Sequence, residues 1–284
     1  MVRMAFCIIV RNAAGYLKEN LATLSRFGQS CDDYRLFFVE NDSTDETVTI
    51  LKEFACHAPL FGKHLHLGEQ HSTELCGPND GYNCNKRTQR LAMLRQTCLE
   101  LALDWEECDF VTMLDIDFLG IDSQEFQRAV ELIEDAESVD CVSAMSVTAG
   151  DKLCPYDIGA VDPWEKLQEL RLAVDSIPVA SAFGGFTIYR RKSIDRYGVK
   201  YSEKCDGIEH KNFNLQFPNL KLILPWFRPV FEGSCQTEVR LPFTYQLPPR
   251  TSERKRKSTM RWVKLAVFVV VLIAFLSAVW QGRS

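Results

Sequence analysis

No internal repeat, low-complexity linker or Cys-x-x-Cys pair occurs in the first 249 residues of this 284-residue chain. The missing repeat excludes a solenoid, and the missing linker leaves one domain, expected over residues 1–249. Eleven cysteines are present, but the number is odd, and Cys7, Cys98 and Cys141 fall on apolar faces of expected elements. Reduced, buried thiols follow rather than a secreted disulfide framework. No secretory leader is read either: Met4 to Val10 is apolar but too short, and Arg11-Asn12 close it without a cleavage site. Basic residues are scarce in the body. The formal charge is −5 overall, yet from Arg250 onward eight Lys/Arg stand against one Glu, so the tail carries +7 and the rest −12. Such an acidic body argues against nucleic acid as a partner. It also makes a bound cation the natural means of holding an anionic, phosphate-bearing ligand.

What is present at the far end is a charge-free run, Leu265 to Trp280. Joined to Trp262 and Val263 across a snorkelling Lys264, it reaches the roughly 17–20 residues that cross a bilayer, with a tryptophan at either end. A transmembrane helix is expected over 262–280, after a basic juxtamembrane segment over 250–261. A buried terminal helix is the competing reading, but the run offers no polar face. Arg250, Arg254, Lys255, Arg256, Lys257, Arg261 and Lys264 precede it, and only Arg283 follows. The positive-inside bias then predicts a single-pass C-terminal membrane anchor with the body facing the cytosol.

Hydrophobic periodicity predicts alternating strands and helices. Ala5 to Val10, Tyr34 to Val39, Leu65 to Leu67 and Phe110 to Leu114 read as buried strands. Gly15 to Phe27 carries Leu17, Leu21 and Leu24 at helical spacing. Ser43 or Thr44 opens a second helix, and a third runs from Asn85 to Leu103 with a stripe of Leu91, Leu94, Cys98 and Leu101. The alternation indicates an α/β, Rossmann-like fold, a mostly parallel sheet flanked by helices. Such sheets bind ligands beyond the C-terminal strand edges, where Arg11, Glu40 and Asp115 emerge. Further on, Asp122-x-x-Glu125 caps a helix bearing Phe126, Ala129, Val130 and Ile133, and Val139 to Met145 reads as a strand. Asp162-Pro163-x-Glu165 opens another helix, Ala182 to Tyr189 reads as a glycine-kinked strand, and Cys205 to His210 as a polar loop.

Asp115-Ile116-Asp117-Phe118 ends the fourth strand with two carboxylates one residue apart. On a straight strand they point the same way and can converge on one divalent cation. Hard oxygen ligands suit Mg²⁺ or Mn²⁺, which keep positions open for a substrate's phosphates. A solvated pair at a strand end is the bland alternative. Glu40 and Asp42 follow the second strand, where an acidic group can accept hydrogen bonds from a base or ribose; Ser43, Thr44 and Asp45 suffice as a helix cap. Arg87 lies at the N-terminal end of the third helix, with Arg90 and Arg95 beside its stripe. A guanidinium from this set or from Arg11 can hold a diphosphate bidentately, a structural ion pair being the alternative. Gly184-Gly185 either permits close backbone approach to a ligand or marks a bulge. Asp206, Glu209 and His210 gather acid/base candidates and a candidate metal ligand in one loop.

Taken in order, these stretches carry a resemblance: the strand ending in Arg11-Asn12, then Glu40-Asn41-Asp42-Ser43-Thr44-Asp45. Tyr82-Asn83-Cys84-Asn85-Lys86-Arg87 follows, leading into Leu91-Ala92-x-x-Arg95, and then Leu114-Asp115-Ile116-Asp117. The chain resembles the GT-A fold nucleotide-sugar glycosyltransferases over residues 5–230. Within them it is most similar to the fungal capsule-associated α-1,3-mannosyltransferase family. That resemblance implies a nucleotide-binding half over 1–120 and an acceptor half over 121–249. It implies Glu40 at the nucleoside, Asp115 and Asp117 at the ribose and metal-bound diphosphate, and Glu209 and His210 near the acceptor or metal. The implied partners are a GDP- or UDP-linked sugar, mannose favoured, and a glycan or glycolipid hydroxyl. If the reaction inverts the anomeric centre, Glu209 or Asp206 is the expected general base; retention requires none. Two rival readings stand beside it. One is a phosphohydrolase with Asp115 as nucleophile and Asp117 as acid. The other is a membrane-tethered module that binds nucleotide sugars or glycans without turnover.

Overall fold

The computed structural model describes residues 2–57, 65–69, 85–149, 154–155, 158–163, 175–202 and 208–232. The chain divides into two units, Met1–Tyr245 and Gln246–Ser284, and every described residue lies in the first. Among the described residues no helix is long and apolar enough to cross a membrane. The span expected over 262–280 lies outside them, as do Asp206, Tyr82-Asn83-Cys84 and the helix expected after Pro163.

Four strands build the first half: β1 (Arg3–Val10), β2 (Asp33–Glu40), β3 (Leu65–Glu69) and β4 (Phe110–Asp115). They pair in parallel in the order β3-β2-β1-β4. Because the chain leaves β1 toward β2 and later returns to β1's other side for β4, the order reverses between β1 and β4. Helices α1 (Ala14–Gly28), α2 (Thr47–His57), α3 (Asn85–Leu103) and α4 (Ser123–Asp135) are the long connections. Met4, Phe6 and Ile8 of β1 join the core packed with α1, α2 and α4. Ala5 and Cys7 join a second core with α3. Leu36/Phe38 against Phe37/Val39 of β2 repeat the alternation. Covered on both faces, these strands read as continuous apolar runs.

The remaining strands are β5 (Phe118–Gly120), β6 (Val139–Ala144), β7 (Val147–Ala149), β8 (Cys154–Pro155) and β9 (Ile177–Val179), then β10 (Phe186–Arg190), β11 (Leu220–Leu224) and β12 (Val230–Glu232). Two short helices, α5 (Arg191–Tyr197) and α6 (Glu209–Asn214), lie among them. The large sheet continues β4-β10-β6-β11-β9, and β5-β12-β7-β8 form a second sheet. Beyond β4 the expected mostly parallel order becomes mixed, since β10 runs antiparallel to both β4 and β6. That direction is already set before β10, because β9, antiparallel to β11, runs the same way as β10. Gly184 and Gly185 take φ of 58° and 72°, so the predicted glycine-kinked strand is instead a left-handed turn leading into β10. A Cβ on Gly184 would also collide with the Ala144 carbonyl oxygen.

Three details differ from the sequence reading. Helix α2 starts at Thr47, not at Ser43 or Thr44, because Asp45 accepts the Thr47 N–H (3.0 Å). Glu209 and His210 stand in the first turn of α6 rather than in a loop. The buried face of α3 is Thr88, Ala92, Arg95, Leu99 and Ala102, with Leu94 and Cys98 beside it; Leu91 and Leu101 are only partly buried. That face is rotated from the leucine stripe because alanines let the helix approach the sheet closely. Arg95 thereby moves from the border to the interior.

Phe126 of α4 is fully buried, stacked on Phe27 at 4.5 Å and 6.0 Å from both Phe6 and Phe186. Phe126→Ala is expected to remove about 3–5 kcal/mol of stability, measured as a lower urea midpoint with an unchanged slope.

Candidate active site

Two loops at the C-terminal edge of the parallel strands are laced together. Asn12 donates its N–H to Ser43 Oγ (3.0 Å), and its Oδ1 accepts the Thr44 N–H (2.8 Å). The N–H groups opening α1 find partners on the loop and helix that follow β2: Ala13 on Thr47 Oγ1 (2.7 Å) and Ala14 on Asp45 (3.0 Å). Hydrogen bonds from Thr47 and from the Ala14 and Thr47 N–H groups hold the Asp45 carboxyl below the usual range. Asn12 and Asp42 both sit at φ 50°, a left-handed conformation that Asn and Asp tolerate better than most residues. Glu40 serves this lacing. It is buried and accepts the Ser43 N–H at 2.6 Å, which closes the loop.

Beside the loops lies a cleft of about 420 Å³. Its walls are Ile9, Val10, Arg11, Ala13, Tyr16 and Asn41 on one side and Arg87, Arg90, Leu91, Leu94 and Arg95 of α3 on the other. Asp115, Ile116 and Asp117 complete them. This is the point between β1 and β4 where strand order reverses, the usual ligand position in such sheets. Both predicted aspartates line it, with Arg11, Arg87 and Arg95. Glu40, Asp42, Gly184, Gly185, Glu209 and His210 are not among its lining residues. Asp42 instead lies 3.7 Å from Arg90, whose Nη2 also donates to Asn41 Oδ1.

The aspartate pair is held by backbone as well as side-chain bonds. Asp115 N–H donates to the Gly185 carbonyl at 2.9 Å, giving the glycine turn its part in the site. Asn20 of α1, buried, donates its amide to the Ile116 carbonyl and to the Phe118 carbonyl (2.8 Å) on either side of Asp117. The sequence reading overlooked Asn20, although the signal existed: it is the lone amide on the stripe of Leu17, Leu21 and Leu24.

Arg95 is the unusual group. It is 4 % exposed, with Nη2 2.9 Å from Asp115 Oδ1 and Nε 3.3 Å from Glu209 Oε1. Burial alone would favour a neutral guanidine, but the carboxylates of Asp115 and Glu209 outweigh it and raise the pKa above the ordinary value. The guanidinium rests on Phe183 at 4.8 Å from the ring centroid. Arg95 thus bridges two carboxylates while lining the cleft, and its Nη1 has no hydrogen-bond partner.

Behind it, His210 stacks on Phe183 (3.3 Å between centroids) and its Nδ1 meets the Tyr201 hydroxyl at 3.0 Å. Burial, seconded by the charge on Arg95, drives its pKa well below the usual histidine value, so the ring stays neutral. Its Nε2 is sealed, 3.7 Å from Glu209 Oε1. Among the described residues no three His, Cys, Asp or Glu side chains are grouped to hold a metal. The His210 ring is enclosed by Phe183 and Tyr201 and is not among the cleft's lining residues. Glu209 is buried with Oε1 3.3 Å from Arg95 Nε, and it is not among the cleft's lining residues. Two carboxylates facing a phosphate-sized cleft still fit Mg²⁺ or Mn²⁺, which commonly take one or two protein carboxylates and complete their shell from phosphates and water.

No family model and no curated protein sequence matches this chain. Solved structures do. TarS from S. aureus in complex with UDP is 16 % identical, with a TM-score of 0.52 over 82 % of this chain and 61 % of that one. The mannosyltransferase PcManGT from Pyrobaculum calidifontis, in complex with GDP-Man and Mn²⁺, is 16 % identical, with a TM-score of 0.51 over 82 % and 57 %. GalNAc-T7 with UDP, GalNAc and Mn²⁺ is 12 % identical, with a TM-score of 0.54 over 83 % and 44 %. The chain spans less than two thirds of the length of these proteins. At such identities the likeness is one of fold: an α/β, mixed-sheet architecture shared with GT-A glycosyltransferases.

Asn20→Leu fills the same volume but strips two buried carbonyls of their donor. It is expected to cost about 2–4 kcal/mol in a denaturant titration, more than the exposed change Lys18→Leu.

Proposed function

We propose that the chain transfers a sugar from a nucleotide diphosphate donor to an acceptor hydroxyl, with a divalent cation held by Asp115 and Asp117. The observation that carries this reading is one cleft, at the strand-order reversal, lined by both aspartates and by Arg11 and Arg87. The shared fold with glycosyltransferases, among them complexes with UDP and with GDP-Man and Mn²⁺, supports it. When bound, Mg²⁺ or Mn²⁺ would offset negative charge on the diphosphate. Arg11 and Arg87 supply planar donors for phosphate oxygens from opposite walls. Ile9, Val10, Tyr16 and Leu91 form the apolar part of the cleft and suit a base or ribose better than the sealed Glu40 does. Stability of the aspartate bend comes from Asn20, Gly185 and Arg95.

Mannose is proposed as the donor sugar on the sequence resemblance to the fungal capsule-associated family, not on the cleft. The acceptor is proposed to be a glycan or glycolipid. The run over 262–280, with its basic approach, would tether the enzyme to a membrane on the cytosolic side. With Glu209 committed to Arg95, an inverting reaction would draw its base from elsewhere, Asp206 being the sequence candidate. A phosphohydrolase fits less well. Its nucleophile would be Asp115, and Oδ1 of that residue is tied to a buried guanidinium.

A thermal-shift series of UDP- and GDP-sugars with and without Mn²⁺ tests the reading. A ligand at 100 times its Kd should add about 2.7 kcal/mol to the folded state. We expect at least one nucleotide sugar to raise Tm only when Mn²⁺ is present, and Asp117→Ala to abolish both the shift and donor hydrolysis. If no nucleotide diphosphate gives a cation-dependent shift, the donor assignment is wrong. A shift without any turnover would mark a binding module.

A further inference from the structure

We propose that Glu209 is a positioning residue whose carboxylate counterbalances Arg95, so that Asp115 keeps its negative charge for a divalent cation at the cleft. The inference rests on the reading of Asp115 and Asp117 given above and adds a role for a residue outside the cleft. A guanidinium 2.9 Å from Asp115 is a fixed positive charge exactly where a cation must approach, and at 4 % exposure little water screens it. Left with Asp115 alone, Arg95 would neutralise it and repel the ion. Glu209, 3.3 Å away on Nε, takes up the opposite side of the same guanidinium. Glu209 thereby offsets one positive charge beside the aspartates, in a cleft that Arg11, Arg87 and Arg90 also line. Without Glu209 that guanidinium has Asp115 as its remaining carboxylate partner. Phe183 lies beneath the guanidinium, its ring centroid 4.8 Å away.

Glu209 lies in α6 and does not line the cleft, so it acts on the ion through its charge beside Arg95 rather than as a ligand. A merely structural Glu209 would alter stability without altering metal affinity in this charge-dependent way. The isosteric variant Glu209→Gln removes the charge, Glu209→Asp keeps it, and Arg95→Met with Glu209→Gln removes both charges together. Replacing a buried pair as a unit is tolerated better than orphaning one member.

Mn²⁺ affinity is read from the free-ion paramagnetic resonance signal, with UDP and with GDP, while circular dichroism checks each fold. Glu209→Gln is expected to weaken Mn²⁺ roughly tenfold, Glu209→Asp to stay near wild type, and the double variant to regain most of the loss. Should Glu209→Gln fail to fold, the double variant decides alone, since near-wild-type affinity is required of it. Unchanged affinity in Glu209→Gln, or a double variant as weak as that single one, overturns the inference. Wild-type protein that takes up no Mn²⁺ with either nucleotide overturns the functional reading itself, which separates the two failures.

Discussion

A guanidinium almost wholly withdrawn from water has to be surrounded by opposite charge, and the surroundings of Arg95 organise this molecule's cleft. Its two carboxylates come from distant parts of the chain, Asp115 from the end of β4 and Glu209 from the start of α6. Removing both would strand a buried charge at a cost of about 3–5 kcal/mol. The pairing therefore ties helix α3 to both halves of the fold at once. It also fixes which way the Asp115 carboxylate faces, more firmly than a strand-end aspartate in water would be held.

The rest of the site repeats that economy of constraint with neutral groups. The reversal of strand order between β1 and β4 opens the crevice. The loops after β1 and β2 fill each other's hydrogen-bonding needs through Asn12, Ser43, Thr44 and Asp45. Asn20 and the Gly185 carbonyl grip the backbone on either side of the aspartates. Few of these contacts touch the cleft, yet each narrows the geometry offered to a ligand. On the proposed reading, preorganisation of this kind would let two carboxylates and two arginines hold a metal-bound diphosphate without a dedicated all-protein metal cage.

The parallel half was legible because burial on both faces writes a strand as an unbroken apolar run ending in polar residues. Val10 before Arg11 and Leu114 before Asp115 are such endings, and Asp115 and Asp117 do meet in one hollow. Where the reading failed, the deciding partner was far away in sequence. Leucine spacing in α3 put Arg95 at the rim, whereas Ala92 and Ala102 set the packed face and two remote carboxylates made an interior arginine tolerable. Glu40 looked like a ligand contact because nothing local shows that the chain turns back at Asp42 and presents the Ser43 N–H. The sequence place of Glu209 and His210 suggested acid/base chemistry; only the fold reveals that Phe183 and Tyr201 enclose the histidine. The antiparallel pairing of β10 with β4 and β6 depended on long-range strand order, which local periodicity does not report.

The central claim is that Asp115 and Asp117 share one divalent cation in the cleft. Anomalous diffraction at the manganese edge, from crystals grown with Mn²⁺ and a nucleotide diphosphate, measures it most directly. The account predicts a peak within about 2.0–2.4 Å of oxygen atoms from one or both aspartates, with phosphate oxygens on its open side. A peak elsewhere, or a nucleotide seated in the cleft with both aspartates turned away from any ion, would contradict it.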